Sequence, residues 1–194
     1  QARFRTGGVD HVALLGWDWQ RADWEGVRGA MSSPRPIDIF NPVYTGYVPQ
    51  VTSLSPTEGS NRQSGIYLQD QLALGKWRLT VGGRYDWTKD DASSATRNPV
   101  TGATVTQPRS VIKNEAFTGR AGVLYVFDNG LTPYISYAES FQPSSTSPLN
   151  NFDGTAFDPV TGTQWEAGLK YQPARIDGLV TLSAFELRQQ NLLT

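Results

Sequence analysis

The sequence lacks the residues on which most site chemistry depends. Among its 194 residues there is no cysteine, one histidine and one methionine. The absence of cysteine excludes disulfide bridges, zinc–thiolate sites and thiol nucleophiles, and a single histidine is a poor basis for a metal site. We therefore do not expect a disulfide framework, thiol catalysis or a thiolate metal site in this chain.

Long apolar runs and an excess of one charge are also missing. No segment offers the roughly 18 consecutive apolar residues that a membrane-spanning helix requires. The 17 basic and 18 acidic side chains give a formal net charge of −1, and no basic stripe marks a nucleic-acid partner. The sequence is instead rich in aromatic residues, with six Trp, eight Tyr and eight Phe, and such residues gather at membrane interfaces and around flat ligands.

The clearest positive signal is an alternation of apolar and polar side chains, which has the period of a β-strand. In segment 77–87 one face carries Trp77, Leu79, Val81, Tyr85 and Trp87, and the other carries Arg78, Thr80, Arg84 and Asp86. Segment 164–172 repeats the pattern. An aliphatic face with aromatic ends, opposite a charged face, is typical of outer-membrane strands, which have lipid on one side and water or a plug on the other.

This pattern predicts an all-β chain of about seven antiparallel transmembrane strands. Their predicted ranges are 9–20, 63–74, 77–89, 115–127, 131–142, 164–172 and 179–190. Short turns at 75–76, 128–130 and 173–178 alternate with long polar segments at 21–62, 90–113 and 143–162. Outer-membrane barrels have short periplasmic turns and long extracellular loops, so this order predicts both the class of fold and its orientation.

Two strands fit the pattern poorly. Asp70 shares the apolar face of its strand with Ile66 and Leu68, and Glu186 and Arg188 share a face with apolar neighbours in the last strand. Charged groups are costly in contact with lipid, whereas an aqueous lumen or a contact with a plug could accommodate them.

Several phrases, taken in order along the chain, resemble the central barrel of TonB-dependent siderophore receptors. They are QSGIYLQDQ at 63–71, LTVGGRYD at 79–86, GVLYVFDNG at 122–130, PYISYAESFQP at 133–143 and QWEAGLKY at 164–171. The loop phrase IDIFNPVY at 37–44 resembles the ferric-hydroxamate, or ferrichrome-type, branch. The resemblance extends over nearly the whole chain.

The resemblance implies a barrel of about 22 strands, with an N-terminal plug in its lumen, in the outer membrane of a Gram-negative bacterium. Residues 1–194 would be a partial barrel domain, with the plug and both barrel ends absent. The implied function is TonB-driven uptake of a ferric siderophore, which itself supplies the ligands to iron. The resemblance therefore implies a transporter that is not an enzyme and that has no cofactor or metal ligands of its own. The implied partners are the siderophore, the TonB complex through the missing N-terminal region, and outer-membrane lipid.

Aromatic residues in the first long loop are the candidate ligand contacts. A ferric hydroxamate would meet aromatic faces and a few hydrogen-bond donors, and the candidates are Trp24, Phe40, Tyr44 and Tyr47. The competing interpretation is that these side chains only pack the loops together.

On the strands, aromatic residues near the ends of the apolar face are the expected anchors at the membrane interface: Trp17, Trp77, Trp87, Trp165 and Tyr171. The charged residues that we expect to face the lumen are Arg78, Arg84, Asp86, Arg120, Glu166 and Lys170.

Three alternatives remain open at this point. A receptor of the same family could carry another cargo, such as cobalamin or an oligosaccharide. A soluble all-β binding module of sandwich type would also show alternating strands. An outer-membrane hydrolase would have to use His11 as its base, since that is the one histidine of the sequence.

Overall fold

A computed structural model describes residues 1–32, 37–43, 46–144, 152, 154–173 and 177–192. These residues form nine strands of one antiparallel sheet. The strands are β1 (Ala2–Thr6), β2 (Val9–Met31), β3 (Val51–Leu74), β4 (Trp77–Arg97), β5 (Thr104–Thr106), β6 (Ser110–Tyr125), β7 (Leu131–Gln142), β8 (Val160–Tyr171) and β9 (Val180–Gln190). Neighbouring strands follow the order β1-β2-β3-β4-β6-β7-β8-β9, and β5 pairs with β4. Within the described ranges no helix is long and apolar enough to span a membrane.

All seven predicted strands are present, and β7 has the predicted bounds. The prediction that 21–31, 51–62 and 90–97 are loops is wrong, because β2, β3 and β4 continue through them. It is also wrong at 110–113 and 160–162, where β6 and β8 have already begun. An apolar face is required only where a strand meets an apolar environment, whereas backbone pairing continues without it. The alternation therefore marks the apolar band and misses the polar ends of the strands. The short strands β1 and β5 were not predicted.

The predicted order of short and long connections is confirmed. Short turns join β3 to β4 and β6 to β7, and longer connections cover 32–50, 98–109 and 143–159. Gly75 and Gly130 adopt φ values of 55° and 85° in the short turns, a backbone region that favours glycine. Lys76 in the first of these turns bonds to Asp128 in the second.

The residues group into two compact units, which are described separately. The first unit contains Gln1–Gln20, Arg62–Lys89 and Ile112–Thr194, and the second contains Arg21–Asn61 and Asp90–Val111.

The first unit has one strongly apolar face and almost no buried core. Ile112, which is 3% exposed, is the one buried large apolar side chain among the described residues. Large apolar side chains stand half exposed instead, among them Leu15, Trp17, Leu68, Val81 and Trp165. Because directly opposite residues share a face, pairing of Ile135 with Ala167 and of Leu169 with Leu182 continues this apolar face across β7, β8 and β9. A face of this size requires an apolar partner such as lipid.

The charged residues that fitted the apolar face poorly are paired. Asp70 Oδ2 lies 2.6 Å from His11 Nδ1, and the two side chains are 25% and 14% exposed. The His11 ring stacks on Phe4 with 4.7 Å between centroids. On β9, Arg188 Nη2 donates to Glu186 Oε1 at 2.7 Å. Asp70 and Glu186 therefore each have a nearby partner that reduces the cost of their charge.

The pair between His11 and Asp70 gives a stability prediction. We expect Asp70→Ala to lower the free energy of unfolding of the intact protein by about 1–3 kcal/mol, because the half-buried His11 loses its partner. The measurement is urea unfolding in lipid vesicles, followed by tryptophan fluorescence.

Asp10→Ala is the matched control. Asp10 pairs with Arg5 at 2.7 Å, but these side chains are 55% and 67% exposed, so water compensates for the loss of the pair. Equal destabilisation by the two substitutions would contradict the proposed role of Asp70.

Candidate functional site

The polar face of the first unit contains an ion-pair network centred on Arg84. Arg84 Nη1 donates to Asp18 Oδ2 at 2.6 Å, and Arg84 Nε donates to Asp86 Oδ2 at 2.7 Å. Asp86 is only 5% exposed and also accepts a hydrogen bond of 3.0 Å from Gln63. The guanidinium lies 5.7 Å from the centre of the Tyr67 ring. The predicted polar-face residues Arg84 and Asp86 are thus brought together.

Arg84 reaches across β3 to join β4 to β2, and a glycine makes the crossing possible. A Cβ on Gly65 of β3 would lie 2.1 Å from Arg84 Nη2 and 2.7 Å from Asp86 Oδ1. Any side chain at this position would therefore displace the network. Sequence reasoning placed Arg84 on this face but missed Asp18, although Asp18 alternates between Trp17 and Trp19 and so belongs to the polar face.

Aromatic and basic side chains meet at one end of the apolar face. A cavity of about 540 Å³ is lined by Trp19, Trp87, Arg62, Lys89 and Lys113, among others. Nearby, Trp17 Nε1 donates to Ser64 Oγ at 2.9 Å. Tryptophan with lysine and arginine is the composition of a membrane–water interface. The arrangement agrees with the predicted anchoring role of Trp17 and Trp87.

Trp24 lies in the second unit, on β2. Its ring covers Gly59 of β3, where a Cβ would lie 2.5 Å from Trp24 Cζ2. The side chain is nevertheless 48% exposed. A ring supported from below by the sheet and open above is a preformed flat surface, which suits stacking of an apolar or planar ligand group.

Tyr47 and Phe40 lie in the connection between β2 and β3. The Tyr47 hydroxyl bonds to Ser32 Oγ, and Ser32 N donates to Gln50 O at 2.8 Å, so Tyr47 is held where the connection meets the strands. Phe40 is 92% exposed, and its N–H donates to Asp38 Oδ1 at 2.8 Å. No ring contact joins Trp24 to Phe40 in the described part of the chain. Tyr44 lies outside the described residues.

Two adjacent carboxylates of the second unit, Asp90 and Asp91, have specific hydrogen-bond partners. Asp90 Oδ1 accepts a hydrogen bond of 2.7 Å from Asn61 Nδ2. Asp91 bonds to Arg109 and thereby raises the pKa of the Arg109 guanidinium. Among the described residues no group of three or more His, Cys, Asp or Glu side chains is arranged to hold a metal ion. The bonds of these carboxylates link Asn61 of β3 to β4, and β4 to Arg109 just before β6.

The Arg84 network gives a second stability prediction. We expect Arg84→Met to cost about 3 kcal/mol of unfolding free energy, because Asp86 is left buried without its cation. Gly65→Ala should reproduce part of this loss by pushing Arg84 aside, with all charged groups kept. The measurement is again urea unfolding of the intact protein in vesicles.

Arg5→Met provides the control, because Arg5 pairs with Asp10 on the polar face at 67% and 55% exposure and such water-exposed pairs contribute little. If Arg84→Met and Arg5→Met destabilised the protein to the same extent, the network would not hold β2 to β4.

Comparison with known proteins agrees with this geometry. Residues 1–194 match the family described as TonB dependent receptor-like, beta-barrel. The chain is 38% identical over 202 residues to the ferrichrome outer membrane transporter/phage receptor of Escherichia coli K12. This alignment covers 100% of this chain and 25% of that protein. It is 35% identical over 189 residues to the ferrioxamine B receptor of Salmonella typhimurium. This alignment covers 97% of this chain and 25% of that protein.

A solved structure has the same fold. The ferric-catecholate import receptor Fiu of E. coli K12 superposes with a TM-score of 0.74 at 22% identity, covering 98% of this chain and 30% of that one. The chain spans about a quarter of the length of the curated relatives that it matches. The resemblance inferred from the sequence phrases is confirmed: the chain belongs to the TonB-dependent receptor-like β-barrel family.

Proposed function

We propose that this chain forms part of an outer-membrane receptor that binds a ferric siderophore of the hydroxamate class and imports it with energy from the TonB complex. The observation that carries the proposal is the similarity to ferrichrome and ferrioxamine B receptors, at 38% and 35% identity over essentially the whole chain. Both of these cargoes wrap ferric iron in hydroxamate oxygens. The hydroxamate groups that the two cargoes share define the class of siderophore, and they do not identify the individual siderophore.

The two faces of the sheet support an outer-membrane location. The apolar face of the first unit needs lipid, and a strand that crosses a bilayer must have its backbone groups satisfied by neighbouring strands. The short connections would face the periplasm and the long ones the outside. The TonB complex is a partner through parts of the receptor that the matched quarter does not contain.

The aromatic residues of the second unit are our proposed ligand contacts. Trp24 offers a supported ring, Tyr47 offers a ring with a hydroxyl, and Phe40 and Tyr44 belong to the same connection. These residues would stack on the apolar surface of the chelate. Because the siderophore already holds the metal, the protein would perform no iron chemistry and would need no ligands to iron.

Equilibrium binding of radiolabelled ferric chelates to the full-length receptor that contains this chain tests the proposal. We expect ferrichrome or ferrioxamine B to bind, and cobalamin and ferric enterobactin, a catecholate, to bind far more weakly. Trp24→Ala and Tyr47→Ala should each weaken hydroxamate binding about tenfold, the loss typical of a central aromatic contact.

Trp17→Ala and Trp165→Ala are matched controls, because they remove the same residue type from the apolar face. They should leave affinity unchanged. If the receptor bound cobalamin or an oligosaccharide more tightly than the ferric hydroxamates, the proposed cargo would be wrong. Equal losses in the control and test variants would show that Trp24 acts only through stability.

A further inference from the structure

One carboxylate of the second unit keeps an oxygen without a hydrogen-bond donor. Asp90 Oδ1 accepts the bond of 2.7 Å from Asn61 Nδ2, whereas Asp90 Oδ2 has no donor among the described residues and is shielded from solvent. The residue as a whole is only half-buried. A shielded oxygen gains more from a charged donor than an oxygen in open water does, because water compensates it less.

Asp90 lies on the same face of the sheet as Trp24. The bond between Asn61 and Asp90 shows that these two side chains share a face. Gly59 is two residues from Asn61 along β3, so position 59 points to that face as well. A Cβ on Gly59 would lie 2.5 Å from Trp24 Cζ2, which places the Trp24 ring on this face too.

The ring and the carboxylate belong to neighbouring rows of side chains. Two residues on one face of a strand are about 7 Å apart, and this is the offset between Gly59 under the ring and Asn61 beside Asp90. The Trp24 side chain is 48% exposed. A primary ammonium group between the two rows can therefore bond to the carboxylate and lie within about 6 Å of the ring, the range of a cation–π contact.

Three cations are near Asp90 in the sequence or in the sheet, and none of them donates to its second oxygen. Arg109 bonds to Asp91. Lys89 points to the opposite face of the sheet, because it directly precedes Asp90 on β4. Arg28 shares the face of the ring, but it lies four residues further along β2, a distance of about 13 Å. The second oxygen is therefore available to a cation of an external ligand.

We propose that Asp90 and Trp24 together recognise a primary ammonium group on a ferric hydroxamate. This recognition rests on the proposed uptake function and narrows its cargo to hydroxamate siderophores that have a free amine. Asn61 would orient the carboxylate, the carboxylate would accept a charged hydrogen bond from the ammonium, and the Trp24 ring would contact the same cation. Neutral ferric hydroxamates would bind more weakly because they lack this donor.

A matched pair of chelates tests the recognition. Ferrioxamine B ends in a primary ammonium group, and N-acetylferrioxamine B holds iron in the same way but ends in a neutral amide. The measurement is equilibrium binding of each chelate, labelled with radioactive iron, to the full-length receptor that contains this chain. We expect ferrioxamine B to bind about tenfold more tightly, the gain expected from one charged hydrogen bond.

Asp90→Asn keeps the size of the side chain and removes its charge. It should weaken the binding of ferrioxamine B about tenfold and leave the affinity for N-acetylferrioxamine B within about twofold of the wild-type value. Asp23→Asn is the matched control, because it makes the same change of net charge in the same unit. The Asp23 side chain is 59% exposed and pairs with Arg21, so its replacement should change neither affinity.

Four results would overturn the recognition. They are equal affinity of the wild-type receptor for the two chelates, equal loss of both chelates with Asp90→Asn, equal losses of ferrioxamine B with Asp90→Asn and Asp23→Asn, and binding of ferrichrome but of neither ferrioxamine. All four leave hydroxamate uptake standing, whereas the absence of binding by any ferric hydroxamate would overturn both proposals. Electrophoretic heat-modifiability shows that each variant has folded, and the wild-type comparison requires no variant.

Discussion

The backbone hydrogen-bond ladder between antiparallel strands is the constraint on which the rest of the structure depends. The ladder satisfies the polar backbone within the sheet and sends alternate side chains to opposite faces. A chain built this way can present lipid with one face and water with the other without a packed interior. That explains how a sheet whose described residues bury only Ile112 among apolar side chains can be a stable part of a membrane protein.

The two faces use charge in different ways. On the apolar face the charges at Asp70 and Glu186 are matched by His11 and Arg188. On the polar face Arg84 pairs with two carboxylates, of which Asp86 is buried. A pair on the apolar face reduces the cost of a charge beside an apolar environment, whereas the Arg84 pairs on the polar face join β2 to β4.

Much of the fold follows from local sequence. The bounds of β7 are predictable because its alternation is preceded by an Asn129-Gly130 turn signal and both ends coincide with the apolar band. The outer part of β2, from Arg21 to Met31, is not predictable in this way. In the sheet it pairs with β3 through the backbone, which leaves no mark on the side-chain pattern.

The candidate site is less predictable, because it depends on contacts between distant residues. The alternation of side chains along β4 places Arg84 and Asp86 on one face. The bond from Arg84 to Asp18, however, joins residues that are 66 positions apart in the sequence. The misfit at Asp70 is visible in the sequence, but its partner 59 residues away is not. Trp24 was chosen for its residue type, whereas its support by Gly59 became visible only in the structure.

Spin-label accessibility along β8 tests the central claim, that one face of this sheet contacts lipid and the other does not. Single cysteines at 165–170 can be introduced into a chain with no cysteine of its own, and the full-length receptor is then labelled in vesicles. The account predicts high accessibility to lipid-soluble oxygen at 165, 167 and 169, and low accessibility at 166, 168 and 170. Equal oxygen accessibility at all six positions, or the opposite alternation, would contradict it.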